Sequence, residues 1–172
     1  DLIEKTAGIP ARTLYSVDAS RHQSLDVLPK GEQTLFIGVS GSGVVARVAE
    51  GLMRFQTKGA YAVAFSGDMQ SKCARAAQVT VDISTPTVNI ERGLPLRGYA
   101  ATLLAFCGVA WRIAILQGRK SEAERLAFYE DLVVSADELQ KTLPEIEHQV
   151  SDFARKVYQT ASVYELVGSG TR

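Results

Sequence analysis

Thr34–Arg47, with the sequence TLFIGVSGSGVVAR, is the stretch that decides the fold of this chain. Its first six residues are typical of a β-strand, and serine and glycine alone make up the next four. A helical pattern of apolar residues then runs to about Thr57. A strand that ends at the N-terminus of a helix directs backbone N–H groups at an anion. The stretch therefore predicts a phosphate cradle or, alternatively, an ordinary tight connection between strand and helix.

Four residues of this turn are the candidate phosphate ligands. Gly41 and Gly43 would let a phosphate approach the backbone closely, and the hydroxyls of Ser40 and Ser42 can donate to its oxygens. No Lys follows the glycines, as it would in a nucleotide-binding P-loop, so an ATPase or GTPase site is not expected.

Strand-like and helical patterns alternate over the first 119 residues. The patterns predict strands at 12–17, 34–39, 60–66 and 79–83, and helices at 1–7, 18–28, 44–57, 71–77 and 96–117. Short, apolar strands in this order predict an α/β fold of the Rossmann or flavodoxin type, with an open parallel sheet in three αβα layers. Ligands of such sheets bind at the carboxyl ends of the strands, where Ser40–Gly43 and Ser66–Asp68 are expected to lie.

Two further parts are predicted after the first domain, 1–119, which we expect to lack its own first strand and helix. Residues 120–160 are predicted to be a helical linker, capped by Ser121 and Glu124 and broken near Pro144. Residues 161–172 again show a strand followed by a Gly/Ser turn, here Gly168-Ser169-Gly170-Thr171. They are interpreted as the first strand and turn of a truncated second domain of the same kind, or alternatively as a glycine-rich C-terminus.

Composition argues against several classes of partner. Lys+Arg 19 against Asp+Glu 19 gives zero formal net charge, which removes the electrostatic argument for nucleic acid or an anionic membrane surface. Cys73 and Cys107 are expected to be buried, reduced thiols, which suits a cytoplasmic protein. The uncharged run Tyr99–Trp111 is too short to span a bilayer, so it predicts a core or interface helix.

A dinucleotide site is the main rival interpretation of the turn. Residues 41–46 match the pattern G-x-G-x-x-A, and Asp68 follows the next predicted strand, where a ribose-binding acid would lie. Two features argue against this site: Gly67 precedes the acid, and a strand predicted at 12–17 comes before the turn. A dinucleotide-binding oxidoreductase domain therefore stays as an alternative.

Several short motifs follow one another in a recognisable order. They are FIGVSGSG at 36–43, KGA at 58–60, SGD at 66–68, SKCARAA at 71–77, Glu91, and the helix YAATLL at 99–104. In order and spacing they resemble the sugar isomerase (SIS) domain family. Residues 122–160 and 163–171 resemble the linker and the opening of the second SIS domain in two-domain members, which include amino-sugar synthases and fructosamine-type deglycases.

This resemblance implies binding of a phosphorylated sugar or amino sugar, with Ser40, Gly41, Ser42 and Gly43 at the phosphate and with no cofactor or metal. SIS domains pair through helices, so the resemblance, together with the apolar helix at 99–111, also implies a homodimer. The full-length protein would be an aldose–ketose isomerase, an aminotransferase-isomerase or a deglycase. Val45 departs from the family, which often has a Thr there.

Catalysis in the family resembles proton abstraction beside a carbonyl by a carboxylate or histidine. Glu91 and His22 are the candidates here; a solvated loop carboxylate and a non-catalytic histidine are the alternatives. Members of the family draw their acidic and histidine residues largely from the second domain. A non-catalytic module that senses a sugar phosphate is therefore the second functional hypothesis.

Overall fold

The computed structural model describes residues 2–26, 33–86 and 96–160. In chain order the elements are α1 (Leu2–Ala7), a π-helix (Asp18–His22), β1 (Leu35–Ser40), α2 (Ala46–Gln56), β2 (Tyr61–Ser66), α3 (Lys72–Arg75), β3 (Val79–Asp82), α4 (Leu96–Leu116) and α5 (Glu122–Thr160). The chain divides into two compact units, Asp1–Lys120 and Ser121–Arg172. The predicted second-domain opening at 161–172 lies outside the described residues, and the three-part domain division stays a prediction.

The sheet has three parallel strands in the order β1-β2-β3. Its register places Ser40 beside Ser66 and Ser66 beside Asp82. The carboxyl ends of all three strands therefore meet in one row at one edge of the sheet, where the predicted turn begins.

Helices cover both faces of the sheet, as the apolar strands predict. Side chains of β2 alternate: Ala62 and Ala64 pack with α2 and α3 in one cluster, and Val63 and Phe65 pack with Ile83 in another. The second cluster is closed by four side chains of α4, namely Ala101, Ala105, Phe106 and Val109. The α/β fold with a parallel sheet in three layers is confirmed.

The predicted strand at 12–17 is wrong. Residues 11–15 form no regular element, and the π-helix Asp18–His22 follows. Leu14 and Ala19 pack in a cluster with Phe55 of α2, so this segment covers a helix surface and adds no strand to the sheet. One argument against a dinucleotide site, the extra strand before the turn, therefore fails.

The helix that contains Tyr99–Trp111 packs on the sheet as a core helix, as predicted, but its apolar segment is longer than the uncharged run, so length alone does not exclude a membrane span. Among the described residues, one helical stretch, Arg97–Leu116, is long and apolar enough to cross a membrane, with mean hydropathy 1.7 and 17% of its residues buried. One side of α4 packs on the sheet, while Leu103 and Leu104 are 45% and 49% exposed. The predicted cytoplasmic location and homodimer stay predictions.

Helix α5 begins at the predicted capping box. The Ser121 hydroxyl accepts from Glu124 N at 3.2 Å, and the Glu124 carboxylate accepts from Ser121 N at 2.9 Å. The helix then continues through Pro144 to Thr160, so the predicted break is wrong. A proline in a helix removes one backbone hydrogen bond, and around Pro144 the helix is exposed, where water can satisfy the freed carbonyl.

Candidate functional site

The predicted phosphate turn lies at the carboxyl end of β1 and leads directly into α2. Gly43 N donates to Ser40 O at 2.9 Å, which closes the turn. Gly43 has φ +67°, and a Cβ there would lie 2.1 Å from Ser71 Oγ and 2.6 Å from Ser66 Oγ. Both the backbone conformation and the close approach therefore require glycine at this position.

A second loop, Gly67–Ser71, holds the turn in place. Gly67 N donates to Gly41 O at 2.9 Å, and Cys73 N donates to Gly43 O at 3.0 Å. These bonds fix the turn against the start of α3, so its conformation is set by the carboxyl end of β2 as well as by its own sequence.

A buried hydroxyl pair lies beneath Gly43. Ser66 Oγ and Ser71 Oγ are 3.2 Å apart, Ser66 Oγ accepts from Asp68 N at 3.1 Å, and Ser71 Oγ accepts from Ala74 N at 3.2 Å. Every one of these hydroxyl groups is thus satisfied within the protein. They support the turn; the sequence analysis placed Ser66 at the ligand-binding edge of the sheet but named neither serine as a phosphate ligand.

The Ser40 hydroxyl is different. Ser40 is 5% exposed, and its Oγ is the one buried side-chain N or O atom in the described part of the chain that has no hydrogen-bond partner. Burial raises the pKa of the nearby Cys73 thiol, and the Ser40 hydroxyl opposes this only in part. The thiol donates to Val45 O at 3.7 Å, and its sulfur is only a weak acceptor for the Ser40 hydroxyl. By hydrogen-bond geometry, Ser40 Oγ has no partner in the described residues.

The N-terminus of α2 is open beside Ser40. Val45 is the N-cap residue and, having no polar side chain, makes no capping hydrogen bond. Its carbonyl oxygen accepts from Val48 N and Ala49 N, which leaves the N–H groups of Ala46 and Arg47 without a partner within the helix. Gly41 and Ser42 are exposed, so this end of the helix is reachable from solvent.

Two arginines place positive charge near this end of α2. Arg47 Nη1 lies 2.6 Å and Arg21 Nη2 lies 3.1 Å from the same oxygen of Glu50. The hydrogen bond from Arg47, helped by the charge of Arg21, holds the pKa of Glu50 below its usual value. Two cations share one anion, and no acidic residue occupies the first turn of α2. The local charge therefore suits an anion.

The end of β3 completes the edge. Asp82 accepts from Ser84 N at 2.7 Å, and this bond holds the pKa of Asp82 below its usual value. Ile83 N donates to Ser66 O at 3.0 Å, which ties the end of β3 to that of β2. Asp82 and Ser84 are both exposed polar side chains, and the sequence analysis did not name them.

Of the two predicted catalytic residues, the structure describes only His22. His22 is exposed, and its π-helix packs along α2, with Arg21 paired to Glu50 and Ala19 packed against Phe55. Glu91 lies outside the described residues, as do the second-domain residues Gly168, Ser169, Gly170 and Thr171. Within the described ranges, no three His, Cys, Asp or Glu side chains are grouped to hold a metal ion.

Solved structures with the same fold were found by comparing the whole structures. The C-terminal domain of glucosamine-fructose-6-phosphate aminotransferase from Francisella tularensis matches with a TM-score of 0.73 at 17% identity, over 91% of this chain and 42% of that one. A protein of Clostridium difficile 630 assigned as a phosphosugar isomerase matches with a TM-score of 0.70 at 13% identity, over 91% of this chain and 42% of that one.

A third similar structure is that of c3406 from E. coli CFT073, with a TM-score of 0.57 at 20% identity. That match covers 74% of this chain and 66% of the E. coli chain, so this chain spans less than two thirds of each of these structures. No family model and no curated protein matches the sequence. The chain has a SIS-type α/β fold.

Proposed function

We propose that this chain binds a phosphorylated sugar or amino sugar, with the phosphate at the turn Ser40–Val45 and the N-terminus of α2. The observation that carries the proposal is the Ser40 hydroxyl, which is buried without a hydrogen-bond partner in the described residues. A buried polar group left unpaired costs about 1–3 kcal/mol. A phosphate oxygen at the turn would accept the hydrogen bond that the free protein does not supply.

Backbone and charge support the same ligand. The free N–H groups of Ala46 and Arg47 and the helix dipole favour an anion at this end of α2. An arginine in the first turn of a helix is unfavourable next to that dipole, and a bound phosphate would offset the repulsion. Hydrogen bonds to a charged group contribute about 1.5–3 kcal/mol each. The valine at 45 supplies none, so Ser40, Ser42 and the backbone carry the phosphate.

The sugar part of the ligand is proposed from the fold. Two of the similar structures are named as a phosphosugar isomerase and as an aminotransferase of a sugar phosphate. By this likeness the full-length protein would be a sugar-phosphate isomerase, an aminotransferase-isomerase or a deglycase. Glu91 and His22 both stay candidates for the base. A non-catalytic sensing module is the alternative, favoured by the lack of an acid or histidine at the described turn.

Calorimetric titration tests the proposal. We expect heat of binding with glucosamine 6-phosphate or fructose 6-phosphate and much weaker binding of glucosamine or fructose. Ser42→Ala should weaken binding about tenfold or more, since one bond to a charged group is lost. Thr57→Ala is the matched control, because Thr57 is an exposed hydroxyl beyond the other end of α2 that donates to Arg54 O. Equal affinity for the sugars with and without phosphate would refute the proposal.

The dinucleotide alternative needs its own measurement. Asp68, the candidate ribose ligand, accepts from Gln70 N at 2.8 Å, which ties one of its carboxylate oxygens to its own loop. We therefore expect no saturable change in NADH fluorescence on adding the protein. Saturable binding of NADH that Ser42→Ala weakens would favour the oxidoreductase domain over the sugar-phosphate module.

A further inference from the structure

Helix α5 carries a regular stripe of apolar residues. Along 29 of its 39 residues, side chains recur at alternating spacings of three and four, as Tyr129, Leu132, Ala136, Leu139, Leu143, Ile146, Val150, Phe153 and Val157. This spacing averages 3.5 residues, the repeat that keeps one face of a helix against a partner in a left-handed coiled coil. We call these nine residues the α5 seam. In heptad notation its members alternate between positions a and d.

The α5 seam is not buried. No residue of α5 is classed as buried, and Leu139, Val150 and Phe153 are 55%, 58% and 67% exposed. Monomeric proteins rarely leave a continuous apolar surface of this length in water, and such patches mark interaction sites. At 1.5 Å per residue the seam is about 42 Å long, roughly four heptads.

Charge on α5 is separated from the seam. Its ion pairs join side chains on the outer positions, as in Glu138–Lys141 at 2.7 Å and His148–Asp152 at 3.5 Å. Of the eight flanking e and g positions between 133 and 156, six are uncharged, and the two charged ones are opposite in sign. They are Val133, Ser135, Gln140, Thr142, Glu147, Gln149, Ala154 and Lys156. Two identical helices can therefore approach without a row of like charges meeting.

Pro144 lies at position b, next to the seam residue Leu143 and pointing away from the partner-facing stripe. The backbone hydrogen bond that a proline removes is thus lost on the outer side of the helix. Helices bend convex toward solvent, so a proline at this position is compatible with a seam that stays in contact with a second helix.

We propose that α5 pairs with α5 of a second copy of this chain, forming a two-stranded coiled coil through the α5 seam. The near-neutral flanking positions favour an identical partner over a strongly charged one, and the alternation of a and d residues favours a helix over a sheet edge. The proposal is independent of the sugar-phosphate site, because it uses no residue of the first unit.

Sedimentation equilibrium of the 172-residue chain tests this pairing. The wild type should sediment with twice the chain mass of 18.6 kDa at tens of micromolar concentration. Leu139→Asp, at the centre of the seam, should weaken dimerisation by at least 100-fold. Val134→Asp is the matched control: Val134 is 60% exposed, close to the 55% of Leu139, but lies at the outer position f. It should leave the dimer intact.

Circular dichroism, measured on each variant at the same concentrations, shows whether a substitution that abolishes the dimer has also unfolded the helix. If Leu139→Asp loses helix signal along with the dimer, Leu139→Cys supplies the second test: under oxidation it should form a disulfide-linked dimer, which Val134→Cys should not. A monomeric wild type would overturn the proposal. So would a dimer that Leu139→Asp leaves unchanged, since the interface would then lie elsewhere, as on the exposed Leu103 and Leu104 of α4.

Discussion

Replacing Ser40 with alanine should make the free protein more stable and the protein a poorer binder. The hydroxyl is 5% exposed and has no hydrogen-bond partner among the described residues. In the unfolded state water would form hydrogen bonds with it, and these are lost on folding. Removing it should raise the free energy of unfolding by up to about 1–3 kcal/mol. For a chain of this size, each kcal/mol corresponds to a rise of roughly 2–4 °C in Tm.

Ligand binding should change in the opposite direction. If Ser40 Oγ donates to the phosphate, its loss removes a hydrogen bond to a charged group, which contributes about 1.5–3 kcal/mol. The affinity for glucosamine 6-phosphate should therefore fall by roughly 10- to 150-fold. Stability is measured by urea unfolding without ligand, and affinity by calorimetry on the same preparations.

Ser66→Ala is the matched control for this pair of measurements. Ser66 ends the neighbouring strand and is also buried, at 0% exposed, but its hydroxyl accepts from Asp68 N at 3.1 Å and lies 3.2 Å from Ser71 Oγ. Its removal leaves buried partners unpaired and should lower the free energy of unfolding by about 1–3 kcal/mol. The reasoning is refuted if Ser40→Ala destabilises the protein as Ser66→Ala does, or if it binds the sugar phosphate as tightly as the wild type.

Three further substitutions test other parts of the structure. Gly43→Ala should lower the free energy of unfolding by about 2–5 kcal/mol, because φ is positive there and a Cβ would lie 2.1 Å from Ser71 Oγ. Gly41→Ala, which has open space around it, should lower it by less than about 1 kcal/mol. Equal losses in urea unfolding would contradict this. The pKa of Glu50 is lowered in the fold, so the ionised carboxylate stabilises the protein above the unfolded pKa near 4.5, and this stabilisation is lost as the pH falls below it. In thermal melts between pH 7 and 3, the Tm of Glu50→Gln should therefore fall less steeply with decreasing pH than the Tm of the wild type. An identical dependence of Tm on pH would count against the ion pairs. Arg119→Ala removes the 3.2 Å hydrogen bond from Arg119 Nη1 to the carbonyl oxygen of buried Ala7. Its loss should lower the free energy of unfolding by about 0.5–1.5 kcal/mol and therefore lower Tm by a few degrees. An unchanged Tm would mean that the bond is not formed in solution.

The regular core of the first unit could be predicted because its periodicities are strong. The run at 60–66 is continuously apolar, which is expected of a strand covered on both faces, and β2 is that strand. The apolar stripe after the turn likewise predicted α2. The helix begins two residues later than predicted, because the turn continues through Val45, and ends one residue earlier, at Gln56.

Two local predictions failed for identifiable reasons. The alternation at 12–17 is typical of a strand, but only Leu14 of residues 11–15 is turned inward, and it packs on a helix surface that the sequence does not reveal. Pro144 predicted a helix break, but a proline on an exposed face loses one hydrogen bond that water replaces, while the apolar spacing on both sides continues in phase.

At the site, the sequence predicted which residues form the turn but not which of them need a ligand. Ser40, Ser66 and Ser71 are all serines near strand ends, and their chemistry is the same. Whether a hydroxyl is paired depends on the path of the Gly67–Ser71 loop, which brings Ser71 Oγ within 3.2 Å of Ser66 Oγ, while no partner reaches Ser40 Oγ among the described residues. That distinction arises from tertiary packing, so it could not be predicted from residue type and spacing.

The central claim is that the turn Ser40–Val45 and the first turn of α2 hold the phosphate, and amide NMR tests it most directly. On titration with glucosamine 6-phosphate, the backbone N–H resonances of Ser42, Ala46 and Arg47 should shift most, with smaller shifts on adding inorganic phosphate and none with glucosamine. If the largest shifts instead fell elsewhere, for example on the shallow depression lined by Met53 and Arg75, the phosphate site would lie outside the turn and the claim would be wrong.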